Sequence, residues 1–200
     1  MSGIMEAFGV FERGGSVMWG LFVIAAILYV VAVATILFLI RGNLSLKNKS
    51  QWGAWIKNPE LGEGRVGEMI HYVLDVSLSA KAVVRRFHEI KQNYVGVVDR
   101  RIMVINTLVA TAPLTGLLGT VMGMLAMFNS LASGGEQGMD KVSIGMYEAL
   151  LTTLTGLMVA LPGMFLASRI KTLRNELESV ISQVESAILI EKFNQNKEDV

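Results

Sequence analysis

Residues 17–40 read VMWGLFVIAAILYVVAVATILFLI and contain no charged side chain. At about 1.5 Å per residue this stretch is long enough to cross the ~30 Å hydrocarbon core of a bilayer with some tilt. A signal peptide cleaved near Ala32-Val33-Ala34 is the competing interpretation, but the apolar run is too long for one and no basic stretch precedes it. The stretch therefore predicts a first transmembrane helix.

Two more stretches of the sequence are long and almost free of charge. Residues 102–135 carry no charged side chain and are interrupted by Pro113, and residues 142–168 carry one, Glu148. Hydrophobic residues make up 52% of the 200-residue chain and charged residues 18%, a balance that is unusual for a soluble domain. The sequence contains no cysteine, which excludes disulfides and cysteine metal sites. We therefore expect an all-α protein with three transmembrane helices.

The basic residues are distributed unevenly around these helices. Eleven of the 18 Lys and Arg residues lie between residues 41 and 101, and five follow Ser168. Because positive residues remain on the cytoplasmic side, the N-terminus should lie outside and the C-terminus inside. The predicted organisation is an outer N-terminus with the first transmembrane helix (1–41), a largely helical cytoplasmic loop (42–101), the second transmembrane helix (102–133), a short periplasmic turn (134–141), the third transmembrane helix (142–168), and a cytoplasmic C-terminal helix and tail (169–200).

Apolar residues continue at helical spacing outside the membrane segments. Two sets of side chains recur at alternating spacings of four and three residues. This pattern predicts long cytoplasmic helical extensions that pack on each other. The sets are Val83, Phe87, Ile90, Tyr94, Val97 and Arg101, and Ile170, Leu173, Leu177, Val180, Val184 and Ala187.

Small residues form a stripe along the second and third transmembrane segments. They recur at spacings of four and three, so they predict close helix packing, either within one subunit or between subunits. The packing residues are Gly116, Gly119 and Gly123, with Ala112 and Ala126, and Gly156, Ala160 and Gly163, with Ala149, Thr153 and Ala167. Pro113 and Pro162 predict kinks in these two helices.

Polar residues of the third segment occupy a second face. Glu148, Thr152 and Thr155 are related by i, i+4 and i+7, and all three are candidate ion-pathway residues. A carboxyl group facing lipid is costly, so Glu148 should face a protein or water-filled interior and exchange protons there. The alternative is a glutamate at the outer interface, since Glu148 lies about 30 Å above Arg169.

Two threonines of the second and third segments lie at similar depth. Thr120 is about 28 Å above Arg101, and Thr153 is about 24 Å above Arg169. In a homo-oligomer these hydroxyls would contribute to one polar ring around an axis. Alternatively, each hydroxyl bonds a carbonyl of its own helix.

The sequence contains none of the common motifs of a soluble active site. It has no phosphate-binding loop, nucleophile elbow or carboxylate pair with metal spacing, so we expect neither an enzyme nor a metal or cofactor site. The basic loop, with Trp52 and Trp55, fits membrane lipids better than nucleic acid.

Two ordered motifs resemble a known family. Residues 112–124, APLTGLLGTVMGM, and residues 148–153, EALLTT, the latter followed by Gly156-Leu157 and Ala160-Leu161-Pro162, are similar to the ExbB/TolQ family of proton-channel motor proteins, which is related to MotA. The resemblance is closest to ExbB.

The resemblance implies a bacterial inner-membrane homopentamer that encloses a dimer of an ExbD-like single-span protein. It further implies that the assembly couples the proton motive force to a TonB-like energy transducer. Thr120 and Thr153 would line the central pore, and Glu148 would be a further functional position. Glu148 and Thr153 differ by about 140° around an ideal helix, so one of them should face a subunit boundary. A TolQ-like subunit, a gliding or flagellar-type stator subunit and a non-conducting membrane scaffold are the alternatives.

Overall fold

The computed structural model describes residues 15–40, 54–56, 58, 60, 62, 64–74, 80–132 and 138–198. Within these ranges the main elements are four helices and no strand occurs. The helices are α1 (Gly15–Ile40), α2 (Gly64–Leu74), α3 (Ala80–Ala132) and α4 (Gly138–Glu198). The all-α prediction is confirmed for the described residues.

Three of these helices are long and apolar enough to cross a membrane. They are α1, α3 and α4, which contain the three stretches predicted from the sequence. With 53 and 61 residues, α3 and α4 far exceed the roughly 20 residues that a bilayer requires. Both run on through their prolines, Pro113 and Pro162. The prediction of three membrane helices is confirmed by length and composition.

The chain forms two compact units, and the long helices contribute to both. The apolar unit comprises α1 as far as Ala32, α3 from Met103 and α4 as far as Ala167, and the charged unit comprises the other described residues. In the apolar unit Leu21 forms a buried cluster with Ala112 and Ala160. All three spanning helices therefore meet in this unit.

The outer surface of the apolar unit is itself hydrophobic. Phe165, Leu150 and Trp19 are 74%, 70% and 63% exposed, and many other large apolar side chains of α1, α3 and α4 are exposed as well. Helices that are apolar on all sides are typical of membrane spans. This surface is suited to contact with lipid or with further chains.

In the charged unit, α2 packs against the first part of α3. Gly64 begins α2 with a φ of 68°, a conformation that glycine adopts without strain. At the other end of α2, Arg86 Nη1 donates to the Tyr72 carbonyl at 2.8 Å and its guanidinium lies 4.4 Å from the centre of the Tyr72 ring. The arginine thus satisfies a carbonyl of the last turn, which has no donor within its own helix.

The buried face of α3 in the charged unit differs in part from the predicted one. Val83, Phe87 and Ile90 are buried as the spacing predicts, but Val97 is exposed, and Val95 and Val98 are buried in its place. Val98 lies within about 20° of Phe87 around an ideal helix and so continues the same face, whereas Val95 lies about 80° from Phe87 and widens that face. Two neighbours cover α3 here, since it contacts α2 at Arg86 and α4 at Lys91 and Asp99.

Several other predictions concern residues near the gaps. Residues 134–137 of the predicted 134–141 turn lie outside the described residues, whereas 138–141 form the first turn of α4. Trp52 also lies outside them. Trp55, which the sequence suggests for contact with membrane lipids, is instead a core residue: it is 9% exposed, and its large indole surface is buried.

Candidate ion-pathway site

Helices α3 and α4 approach each other through glycines of both stripes. A Cβ added at Gly156 would lie 2.8 Å from the Ala112 carbonyl oxygen, and one at Gly116 would lie 2.9 Å from the Thr152 carbonyl oxygen. A Cβ added at Gly123 would lie 2.9 Å from the Ala149 Cβ. Side chains larger than hydrogen would separate the backbones, so the stripes pack within one chain.

Thr152 lies in the centre of this contact. It is 2% exposed, and its Oγ1 donates to the Ala149 carbonyl at 2.9 Å. A Cβ at Gly119 would lie 2.6 Å from the Thr152 Cβ. Thr152 therefore fills the space beside Gly119 and is not open to a pore in this chain.

Thr120 and Thr153 lie on one edge of the α3–α4 pair. Thr153 Oγ1 is 3.4 Å from the Gly116 carbonyl oxygen and 3.3 Å from that of Ala149. Thr120 follows Gly116 by one helical turn on α3, so it shares this edge with Thr153. Its Oγ1 donates to the Leu117 carbonyl at 2.7 Å.

The other threonines of the apolar unit also bond to their own helices. Thr155 Oγ1 donates to the Leu151 carbonyl at 2.8 Å. On α3 the hydroxyls of Thr107, Thr111 and Thr115 each donate to the carbonyl four residues earlier. Own-helix bonding, one of the two alternatives for these hydroxyls, is therefore the arrangement of Thr120, whereas the Thr153 hydroxyl lies within reach of a carbonyl of its own helix and of one of α3. The hydroxyl protons are engaged, and the oxygen lone pairs remain to accept further hydrogen bonds.

Glu148 lies on the other side of α4 from Thr153. It lines an open groove of about 510 Å³ together with Ser143, Ile144 and Tyr147. Because Thr153 is about 140° away around the helix, the groove and the threonine edge are separate surfaces of the helix pair. Thr120 and Thr153 thus lie along one edge of the helix pair, and Glu148 lies apart from that edge.

Two residues of this region were not predicted from the sequence. Gly145 packs against α3, where a Cβ would lie 3.2 Å from the Gly123 carbonyl oxygen. It precedes Ala149 by four residues, so the small-residue spacing could have been extended to include it. The Tyr29 hydroxyl donates to the Val159 carbonyl at 3.1 Å. The one sequence signal for this contact is that Tyr29 is the single tyrosine of the apolar stretch 17–40.

The sequence region that contains these contacts has known relatives. Residues 69–183, more than half of the chain, match the MotA/TolQ/ExbB proton channel family. The chain belongs to this family. The match confirms the resemblance of the two motifs, and it supports a multi-pass protein of the inner membrane.

Individual relatives of the MotA/TolQ/ExbB family match shorter segments. The chain is 45% identical over 60 residues to a putative ExbB-like biopolymer transport protein of Synechocystis, and 37% identical over 67 residues to the biopolymer transport protein ExbB of Aquifex aeolicus. It is 30% identical over 80 residues to the Tol-Pal system protein TolQ of Haemophilus influenzae. These segments cover 28%, 34% and 40% of this chain and 24%, 45% and 35% of the relatives, so the chain spans less than half the length of each relative.

A second polar cluster lies in the charged unit and within the family match. Arg174 binds Asp99 through two bonds, Nε to Oδ1 at 2.7 Å and Nη2 to Oδ2 at 2.9 Å. Arg174 also binds Glu178, which in turn binds Lys91. The bond from Arg174 holds the pKa of Asp99 below its usual value, and the bond from Lys91 does the same for the pKa of Glu178. Two carboxylates and two cations thus join α3 to α4.

Proposed function

We propose that this protein is the channel-forming subunit of an inner-membrane motor driven by the proton motive force. The observation that supports this most directly is the placement of Thr120 and Thr153 on one edge of the α3–α4 pair, inside the region that matches a proton channel family. This edge bears two hydroxyls, one from each helix, next to a glycine that permits close approach. Thr152 and Thr155 would support this pathway from within α4.

The hydrogen bonds of these threonines suit them to a protonated partner. Each hydroxyl donates to a carbonyl of its own chain, so its oxygen can accept from a water molecule or from a neutral carboxylic acid. Both hydroxyl protons of this edge are already donated, which favours a neutral acid over a carboxylate anion. We therefore propose that the edge accepts the proton-loaded form of an acidic side chain supplied by an ExbD-like single-span protein. Glu148 would act at the separate groove, at a boundary between subunits.

The assembly and its orientation are part of the same proposal. The exposed apolar surface of the apolar unit would contact lipid and further copies of the chain, as in a homopentamer around a dimer of the partner. The N-terminus would be periplasmic and the C-terminus cytoplasmic, because residues 41–101 hold most of the basic side chains. The complex would energise a TonB-like transducer for transport across the outer membrane.

Replacing the two hydroxyls tests the pathway. We expect Thr120→Val with Thr153→Val to reduce proton flux at least about tenfold, because a methyl group of equal size cannot accept a hydrogen bond. Flux is measured with a pH-sensitive dye in liposomes that contain the chain and its single-span partner. The matched control is Thr107→Val with Thr111→Val, which removes two hydroxyls of α3 that also bond to their own helix.

The same experiment separates the alternatives. A non-conducting scaffold also agrees with threonines that bond to their own helix, but it predicts that the double valine variant assembles and works like the natural chain. Full flux in that variant with normal assembly would refute the pathway at Thr120 and Thr153. The TolQ relative supports a TolQ-like subunit as a second candidate, which differs in the transducer that it energises.

A further inference from the structure

Helix α1 meets α4 at the turn that contains Pro162. A Cβ added at Gly163 would lie 2.9 Å from Leu28 Cδ2 and 3.0 Å from Val109 Cγ2, so this glycine permits close contact. The next residue of α1, Tyr29, donates from its hydroxyl to the Val159 carbonyl at 3.1 Å. Two successive residues of α1 therefore hold the two ends of one turn of α4.

This turn of α4 lacks one backbone hydrogen bond because it contains Pro162. Proline has no N–H group, so Pro162 cannot donate to the Met158 carbonyl, and its ring crowds that carbonyl. The usual donor for the next carbonyl, Val159, is the amide of Gly163, and that bond lies directly beside the disturbed one. A donor from outside the helix can keep the Val159 carbonyl satisfied when the turn opens.

We propose that Tyr29 is a positioning residue that holds the proline turn of α4, residues 158–163, in one geometry. Val159 lies six residues after Thr153, about 9 Å along the helix, so a bend at the turn would change the direction of the segment that bears Thr152 and Thr153. Helix α1 would thereby act on the ion pathway without contributing a pore residue. This role in transport rests on the proposed function, whereas the effect on the turn itself does not.

The contact depends specifically on the hydroxyl group. A phenylalanine in place of Tyr29 would fill the same space beside Leu28 and bury as much apolar surface. The hydroxyl adds a donor for a carbonyl beside a proline, where an unsatisfied group is costly in hydrocarbon. The proposal therefore predicts that Tyr29 and Pro162 are energetically coupled.

A double-mutant cycle tests this coupling. The full-length chain is purified with Tyr29→Phe, Pro162→Ala, both changes or neither, and amide hydrogen exchange is followed in the peptide that spans residues 155–168. We expect Tyr29→Phe to accelerate exchange about three- to tenfold, the range of one interhelical hydrogen bond in a membrane protein. In the Pro162→Ala background the restored amide bonds the Met158 carbonyl and keeps the turn closed, so the Val159 carbonyl keeps its own-helix bond and the same change should have an effect of less than about twofold.

The control variant is Tyr72→Phe, which removes the hydroxyl of a tyrosine in the charged unit and should leave exchange in residues 155–168 unchanged. Equal acceleration by Tyr29→Phe in both backgrounds would refute the coupling, because it would indicate general loosening of α1. No acceleration in either background would also refute it.

Transport is measured separately on the same variants. We expect Tyr29→Phe to lower proton flux about threefold or more with normal assembly, and to cause no further loss in the Pro162→Ala background. Faster exchange with unchanged flux would refute the positioning role. Failure of the proposed function would instead appear as full flux in the double valine variant at Thr120 and Thr153, an outcome that does not depend on Tyr29.

Discussion

At the scale of single residues, the α3–α4 contact depends on whether a backbone position has space for a methyl group. Gly116 has none, because its Cβ would lie 2.9 Å from a backbone oxygen, that of Thr152, which cannot rotate away. A Cβ added at Gly20 of α1 would have no neighbouring atom within 4 Å. Both are helical glycines in the apolar unit, so they form a matched pair in which only the neighbour differs.

We expect Gly116→Ala to destabilise the protein by about 1–3 kcal/mol, since an added methyl group must push the two helices apart. Gly20→Ala should instead be neutral or stabilise it by up to about 1 kcal/mol, because alanine loses less backbone entropy in a helix. Thermal unfolding in detergent, followed by circular dichroism, measures both. Equal melting temperatures for the two variants would contradict the observed contact.

The spacing of small residues was predictable, but their partners were not. A pattern of four and three places Gly116, Gly119 and Gly156 on one face of each helix, whichever chain covers that face. The sequence left packing within and between subunits open, because glycine is equally suited to both. The same limit applies to Thr152: its spacing from Glu148 indicates a shared face, but only the position of Gly119 shows that this side chain is enclosed.

At the scale of elements, α3 and α4 are joined in the charged unit by the cluster around Arg174. Asp99 and Glu178 both have lowered pKa values, so the stability that they contribute is present above their unfolded pKa values, near 4, and is lost as the pH falls through the folded values. Arg174 remains charged throughout this range. The stabilisation should therefore persist at neutral pH and disappear in acid.

We expect Arg174→Met to lower the free energy of unfolding by about 1 kcal/mol at pH 7 and low salt, because two carboxylates lose their shared partner. The loss should shrink below about pH 4, where the carboxylates become protonated, and at high salt. The control is Arg85→Met, since the Arg85 side chain is 83% exposed and its Nε lies 3.6 Å from Glu89 Oε1. If Arg174→Met lowers the free energy of unfolding equally at every pH and salt concentration, packing of the side chain rather than its charge is responsible for the loss of stability.

Helix type and length were largely predictable from apolar periodicity, and the faces only in part. In α4 the buried residues Ile170, Leu177, Val180 and Val184 follow the predicted spacing. In α3 the buried face also includes Val95, about 80° around the helix from Phe87, because the helix has two neighbours, α2 and α4. A repeat read from one helix assumes a single partner, so it cannot reveal a face that is widened by a second one.

At the scale of the whole molecule, the division into two units follows charge at two of its three boundaries. The boundaries at Ile102/Met103 in α3 and Ala167/Ser168 in α4 lie beside Arg101 and Arg169. The third boundary, Ala32/Val33, lies inside the first apolar stretch, where hydropathy does not change. The sequence could therefore indicate the first two boundaries but not the third, which depends on which neighbours α1 contacts.

The uneven distribution of basic residues leads to a prediction of orientation. If the positive segments remain inside, residue 133 lies on the periplasmic side and residue 182 on the cytoplasmic side. The chain contains no cysteine, so a single introduced thiol reports one position without background. We expect a membrane-impermeant maleimide to label Ser133→Cys in spheroplasts. It should label Ser182→Cys, at an exposed position of α4, only after the membrane is opened.

The reverse pattern would invert the orientation and place the basic loop outside. Labelling of both positions in closed spheroplasts would mean that an even number of segments crosses the membrane between them, which contradicts the single passage of α4.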